Sequence, residues 1–332
     1  MDPSKITKKT LKVSRNLTYT YYTSPAHPSK PPILLCHGWP DSAHLWSGLI
    51  NNYLLPKGYG VIALDCLGYG ETSKPTNPQL YSWRDLTADA IEILDAERLP
   101  SVIALGHDWG STLCQRLYNF YPARVAALIT INVGYMPPSG MGKFNLDAVN
   151  EMTRRQYGYG LLEYWHFFTA DDGVRIMNDN LESVYCMAFG EPATWLETMT
   201  APGGARRFVG GGCTQDTLPF ATGEHRRDFL ERLSREGGFA GPSCWYKAFA
   251  FGVQDEADGL VADVNKVVHV PVLHWGGEGD VVARPDRLKP VIEAGLLRDV
   301  KVVTREGGHW ALLERPDVFG EDILTWLEER FA

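Results

Sequence analysis

Short apolar runs separated by amphipathic stretches set the rhythm of this 332-residue chain. Pro31-Pro32-Ile33-Leu34-Leu35-Cys36, Gly60-Val61-Ile62-Ala63-Leu64-Asp65, Ser101-Val102-Ile103-Ala104-Leu105 and Val125-Ala126-Ala127-Leu128-Ile129-Thr130-Ile131 are apolar at successive positions rather than alternate ones. Strands of that kind are buried on both faces, and with helices between them they predict a mainly parallel sheet covered on both sides. Residues 43–55 fit the first of those helices. Ser82-x-x-Asp85 resembles a capping box opening the second, which carries Leu86, Ala90, Ile93 and Leu94 on one face. Ahead of them, residues 10–13 and 17–22 predict an entry hairpin turning at Ser14-Arg15-Asn16.

The rhythm stops near Pro137-Pro138. From about residue 139 to 250 the chain changes to aromatic-rich helical segments and glycine loops. Gly203-Gly204 and Gly210-Gly211-Gly212 make 202–223 a long irregular connection, either bordering a pocket mouth or disordered. Apolar strands then resume at 268–275 and 300–304, with a helix around 287–294 between them. A last helix runs from Pro316, at its first position, to about Phe331. Because the strands resume, the helical region is read as a lid inserted in the sheet domain: core 1–138, lid 139–250, core 251–332.

Composition narrows the class. Hydrophobic residues at 44% and charged ones at 22% are ordinary for a soluble globular protein with a substantial core. A net charge of −8 and a pI near 5.6 give no support for nucleic acid or an anionic membrane as partner. No apolar stretch approaches the roughly 20 residues that cross a bilayer. The first residues, Met1 to Lys9, lack an apolar signal core, and Arg330-Phe331-Ala332 is not a peroxisomal address. The six cysteines (Cys36, Cys66, Cys114, Cys186, Cys213, Cys244) form no Cys-x-x-Cys pair, which suggests neither a zinc site nor a disulfide framework. Cys36 and Cys66 read as buried free thiols. Together these features point to the cytoplasm.

In an open parallel sheet, ligands bind beyond the carboxyl ends of the strands. The segments there are His37-Gly38-Trp39-Pro40, Gly68-Tyr69-Gly70, Gly106-His107-Asp108-Trp109-Gly110, Gly276-Gly277-Glu278-Gly279-Asp280 and Glu306-Gly307-Gly308-His309-Trp310. The third stands between an apolar strand and the helical stretch 111–118, the layout of a nucleophile elbow. Aspartate at its centre, where serine is usual, changes the chemistry from acyl transfer to carboxylate attack on a carbon centre. Alone, Gly-x-Asp-x-Gly arises by chance in roughly a fifth of chains this long and this rich in glycine. Its strand-to-helix setting, the His-Gly-x-Pro turn and the order Asp108, Asp280, His309 add specificity. That order is nucleophile, acid, histidine, as in α/β-hydrolases.

Each residue also has a plainer reading. Asp108 could be only a helix N-cap. Asp280 could cap the following turn, with Glu278 as substitute acid. His37, His107 and His274 compete with His309 as base: His37 suits a structural role in its turn, His107 should point away from its neighbour Asp108, and His274 lies within a strand. His27, His44, His225 and His269 carry no motif.

The chain from about Leu34 to Leu327 resembles the soluble epoxide hydrolase branch of the α/β-hydrolase fold. Its His-Gly-x-Pro, Gly-Tyr-Gly-x-Ser (here with one extra residue, ending at Ser73) and Gly-His-Asp-Trp-Gly motifs are present. In the lid, Gly238-Phe239-Ala240-Gly241-Pro242-Ser243-Cys244-Trp245-Tyr246-Lys247 resembles the family's Gly-Phe-x-Gly-Pro-x-x-Trp-Tyr-Arg. The resemblance implies that Tyr246 is one epoxide-binding phenol and that Tyr164, in Tyr164-Trp165-His166-Phe167-Phe168, is the second. The latter stretch departs from the family at Thr169-Ala170-Asp171-Asp172, which leaves Tyr157 and Tyr159 as alternatives.

The implied reaction is attack of Asp108 on an apolar epoxide whose oxygen the two phenols stabilise. The resulting ester is then hydrolysed by water that His309 activates and Asp280 orients. The backbone N–H groups of Trp39 and Trp109 would hold the ester's oxyanion, and His37, Gly38 and Pro40 would shape that turn. No metal or organic cofactor is implied; the partners are an apolar epoxide and water. A haloalkane dehalogenase shares the fold and the aspartate, and uses the following tryptophan to bind halide, so Trp109 does not separate the two; Tyr246 does. A non-catalytic binding protein on the same fold is the reading from another class. A serine esterase is disfavoured by the lack of Gly-x-Ser-x-Gly.

Overall fold

The computed structural model describes residues 1–2, 4–138, 143–235 and 237–331. Eight strands form one sheet in the order β1-β2-β4-β3-β5-β6-β7-β8. They are β1 (Thr7–Lys12), β2 (Thr18–Ser24), β3 (Ile33–Cys36), β4 (Val61–Leu64), β5 (Val102–His107), β6 (Val125–Ile131), β7 (Val272–Gly277) and β8 (Val300–Arg305). β1, β2 and β4 pair antiparallel; every pairing from β4 across to β8 is parallel. The runs that read as apolar on both faces are buried throughout at β3, β4, β5 and β7. The edge strands β1 and β8 are largely exposed and carry Lys8, Lys9, Lys12, Lys301 and Arg305, charges that discourage edge-to-edge pairing. The expected α/β architecture, a mostly parallel sheet flanked by helices, is therefore present.

Several local expectations change. The entry hairpin is longer at both ends and turns through Asn16 at φ 64°. Residues 43–55 form no single α-helix but a run of short 3-10, α and π turns ending at Lys57. Pro56, without an N–H, cannot continue an α ladder. The helix Trp83–Ala96 buries Leu86, Ala90, Ile93 and Leu94 as expected, but Ser82 and Asp85 form no capping box. Gln254 Oε1 accepts the Trp83 N–H instead (2.9 Å), and the Asp85 carboxylate pairs with Arg15 (3.6 Å). β7 begins only at Val272, after Pro271, while Val268 makes an isolated bridge to Leu297.

Between β6 and β7 the described chain is helical, from Leu146–Tyr157 through Gly223–Ser234 and Ala240–Ala250 to Val253–Asp258. The junction at residues 139–142 lies outside the described residues. Residues 202–223 are not wholly irregular: Gly204–Gly210 is helical and Thr217 bridges to Gly190. Buried polar links, beside that of Gln254 to Trp83, fasten this region to the sheet. The Trp245 indole N–H donates to the Leu67 carbonyl (2.9 Å), and the Trp310 indole N–H donates to the Ala188 carbonyl (2.7 Å). Arg116, on the helix after β5, holds Asp258 through two bonds (2.6 and 2.7 Å). Among the described residues no helix is long and apolar enough to cross a membrane.

Candidate active site

The turn after β5 places Asp108 at the start of the helix Trp109–Phe120 with φ 55° and ψ −123°, a conformation few non-glycine residues adopt. Its flanking glycines are required by contact. A Cβ on Gly106 would lie 2.1 Å from the Gly110 carbonyl oxygen, and one on Gly110 would lie 2.0 Å from the Cys36 carbonyl oxygen. The helix can therefore cross the strand ends only if both positions lack a side chain. Gly38 is constrained by the carboxylate itself, since a Cβ there would come within 2.2 Å of Asp108 Oδ1. Asp108 stands in the N-cap position without the side-chain bond of a helix cap. Its Oδ1 instead accepts the Trp39 N–H at 2.8 Å, next to the cis Trp39–Pro40 peptide.

His309 follows β8 and lies beside Asp108. Its Nε2 is 3.9 Å from Asp108 Oδ2, too long for a hydrogen bond, which leaves that nitrogen free to accept from a small molecule. Its Nδ1 is 2.7 Å from Asp280 Oδ2. Asp280 Oδ1 accepts the N–H groups of Val282 (2.9 Å) and Ala283 (2.8 Å), so both readings of Asp280, turn-former and partner of a histidine, hold at once. Glu278 is exposed and makes no bond to His309.

The other histidines have different work. His37 Nε2 accepts the Cys66 N–H (3.0 Å), so its proton is on Nδ1, which donates to the Gly38 carbonyl (2.9 Å); this ring holds its turn. His107 contacts the His309 carbonyl through Nε2 (3.1 Å), and His274 sits in β7 on Thr130 Oγ1 (3.0 Å). Burial, and then the charge of His309, hold the His107 pKa well below the ordinary imidazole value. Burial brings His274 down to about 4.

Electrostatics separate the groups further. Burial raises the Asp108 pKa, against the pull of His309 and of the Trp109 and Trp39 N–H groups. For Asp280 burial is again the largest influence, but the charge and hydrogen bond of His309 and the amides of Ala283 and Val282 outweigh it, so the net shift is downward. For His309, burial opposes protonation, while Asp280 and then Asp108 overcome it and raise the pKa. The result at neutral pH is an ionised acid beside a histidine of increased basicity.

Tyr164 and Tyr246 come from the lid and pack with ring centroids 5.9 Å apart, both buried. Burial raises both phenol pKa values, and the Asp108 carboxylate adds to each. Both therefore stay protonated and can donate. The alternatives Tyr157 and Tyr159 pack on Arg284 of the sheet core. Trp39, Phe168, Phe239 and Trp165 supply aromatic walls, with Trp39 4.8 Å from Phe168 and Trp165 5.3 Å from Tyr246 by ring centroid. Trp195, Pro192 and Leu218 of the lid also meet Asp280, Val281, His309 and Trp310 around a narrow cleft. Leu218 gives the 202–223 segment a place beside the site. Among the described residues no group of three or more His, Cys, Asp or Glu side chains is placed to hold a metal ion.

One residue of this arrangement escaped the sequence reading. Asn132, just after β6 and at φ 62°, donates through Nδ2 to both Asp280 Oδ2 and the His309 carbonyl (2.8 Å each). A polar residue tolerant of left-handed backbone at the end of a buried strand was the available signal.

Comparison with known proteins gives a consistent picture. Residues 31–316 match the alpha/beta hydrolase fold family. The chain is similar to bifunctional epoxide hydrolase 2 of Sus scrofa, 27% identical over 310 residues. That match covers 90% of this chain and 52% of the relative, so the chain spans about half the relative's length. It is also similar to epoxide hydrolase A of Mycobacterium tuberculosis, 27% identical over 90% of this chain and 91% of that one. The crystal structure of epoxide hydrolase A from Mycobacterium thermoresistibile superposes with a TM-score of 0.79 over 98% of both chains, at 23% identity.

Proposed function

Because this chain belongs to the alpha/beta hydrolase fold family, we propose that it converts an apolar epoxide to a vicinal diol through an ester on Asp108. The observation that carries the reading is the convergence of a carboxylate and a histidine–acid pair from the sheet with two protonated phenols from the lid. The epoxide hydrolase names of its relatives support it.

Asp108 Oδ1 rests on the Trp39 N–H, so Oδ2 is the oxygen free to attack. It bonds to an epoxide carbon; the C–O bond of the strained ring breaks, and the departing oxygen takes a proton from Tyr164 or Tyr246. Donors already in place where that charge develops act without reorganisation in a site shielded from water. His309 Nε2 then takes a proton from water, and the hydroxide adds to the ester carbon. The oxyanion forms on Oδ1, facing the Trp39 N–H and that of Trp109. Collapse expels the diol oxygen, which takes back the proton held by His309, and the proton left on the Asp108 carboxyl returns to the tyrosinate, restoring carboxylate and phenol. Asp280 keeps the imidazole in the required tautomer and offsets its positive charge. No metal or organic cofactor takes part.

The substrate and water are the partners, the cytoplasm is the location, and the division into 1–138, 139–250 and 251–332 is the domain organisation that we propose. A second reading rests on one observation: the indole N–H groups of Trp109 and Trp165 are buried beside the Tyr246 and Tyr164 hydroxyls without a well-formed hydrogen bond, which leaves them available to a halide as in a dehalogenase. Product analysis decides between them. Diol from aryl or alkyl epoxides should greatly exceed halide released from chloro- or bromoalkanes; the reverse ranking overturns the assignment, and a ligand returned unchanged favours a binding protein. The mechanism is tested with His309→Gln, which should form the ester and fail to hydrolyse it. Intact-mass and peptide spectra should show the adduct on the peptide holding Asp108; an unmodified peptide sinks the scheme.

A further inference from the structure

Arg284 reaches from the loop after β7 to the lid. Its Nη1 donates to the Tyr159 hydroxyl (3.1 Å), and its guanidinium lies 4.3 Å from the centre of the Tyr157 ring. Asp286 accepts from Nε and Nη2 (3.1 and 3.0 Å), which fixes the plane of the fork. A planar group that stacks on one ring while donating to a hydroxyl and a carboxylate is a task for arginine and not for lysine.

What makes the clasp more than a surface contact is what lies on either side of it. In the core, the residues just before it are Val282 and Ala283, whose N–H groups hold Asp280 Oδ1. In the lid, the chain after Tyr159 is pinned bond by bond. Leu161 N–H donates to Thr153 Oγ1 (3.1 Å), Leu162 N–H to Asn150 Oδ1 (2.8 Å), and Tyr164 N–H to the Met199 carbonyl (2.9 Å). Between Arg284 and either functional side chain there is little slack.

We propose that Arg284 is a positioning residue that ties the loop carrying Asp280 to the lid segment carrying Tyr164, so that phenol and acid are held in one register. The inference rests on the epoxide-opening reading given above. Its effect is geometric, since Arg284 is partly exposed and its pairing with Asp286 is screened by solvent. Small displacements of reacting groups are costly, about 10²-fold for 1 Å.

The test is a double-substitution cycle read by the rate of ester formation, with Arg284→Ala in proteins holding either Tyr164 or Tyr164→Phe. In the Tyr164 protein, Arg284→Ala should slow ester formation roughly fivefold, the scale of one hydrogen bond plus one cation–π contact. In the Tyr164→Phe protein it should change little, because the group it positions is gone. In the ester, the titratable groups facing His309 are Asp280 and the neutral His107. Loosening the Asp280 loop weakens the influence that raises His309, so the pH midpoint of ester hydrolysis should fall. Equal slowing in both backgrounds, or an unmoved midpoint, overturns the proposal.

If Arg284→Ala does not fold, Tyr159→Phe, which removes only the hydroxyl, is read in the same way and should give about a twofold effect. Should the unsubstituted protein form no diol and its His309→Gln variant form no ester, the epoxide reading fails separately. Hydrogen exchange then decides the clasp: Arg284→Ala must accelerate the amides of Val282, Ala283, Leu161 and Leu162 together, and acceleration of only one pair refutes the coupling.

Discussion

Asp280→Asn perturbs the candidate site at the point where its hydrogen bonding is most fully specified. All four bonds to the Asp280 carboxylate are accepted: from Val282 and Ala283 at Oδ1, and from His309 and Asn132 at Oδ2. An amide offers one acceptor and one donor, so either orientation leaves a conflict. With its nitrogen toward Val282 and Ala283, two buried N–H groups lose their acceptor, at about 1–3 kcal/mol each. With its nitrogen toward His309, the imidazole must move its proton to Nε2, which can then no longer accept from water. The same exchange in a Ser-His-Asp triad costs about 10⁴-fold in rate. Here ester hydrolysis should slow by about 10³ to 10⁴-fold, while ester formation, which uses Asp108 and the phenols, should change by less than about tenfold. Rapid mixing with epoxide, quenching and intact-mass measurement follow both steps. The unsubstituted protein should show little ester at steady state, and Asp280→Asn should fill to one ester per chain. Hydrolysis within about tenfold of the unsubstituted rate would refute Asp280 as the acid.

Two further outcomes are expected. Tyr164→Phe and Tyr246→Phe should each slow ester formation by about 10²-fold, the scale of one lost donor at a developing oxyanion, and leave hydrolysis of preformed ester unchanged; unaltered ester formation in Tyr246→Phe would make that ring a pocket wall. Hydrolysis of preformed ester should rise with pH. The base must be unprotonated, and Asp280 acts against burial to raise the His309 pKa, so the midpoint should fall when Asp280 is replaced by Asn. A pH jump on accumulated ester reads it directly, and a midpoint left unmoved by that substitution contradicts the assignment.

The parallel strands were legible because burial on both faces leaves continuous apolar runs, and the elbow because two glycines flank a strand-to-helix turn for steric reasons. Asp280 and His309 were legible through their place after strands. What the sequence could not convey is partnership across distance. Ser82 and Asp85 have the right spacing for a capping box, yet Gln254, far along the chain, takes the amide. Asn132 lies one residue beyond its strand, but its value depends on two groups from elsewhere in the chain. Tyr157, Tyr159 and Tyr164 share one aromatic stretch, and only packing places Tyr164 against Tyr246 and the other two on Arg284. Residues 202–223 read as loop from their glycines, whereas Gly204–Gly210 is helical.

The indole bonds between lid and sheet bear on how such proteins can diversify. Trp310 adjoins His309 and Trp245 adjoins Tyr246, and each donates across the layer boundary to a backbone carbonyl, at Ala188 and Leu67. A carbonyl is present whatever side chain its residue bears, so these attachments tolerate sequence drift on the accepting side. They depend instead on the backbone path there. Exchange of a whole lid between relatives should therefore succeed where backbone paths at 67 and 188 coincide, largely regardless of local identity. Substitutions lining the pocket can accumulate while the two layers keep their alignment, which separates the evolution of specificity from the retention of the scaffold.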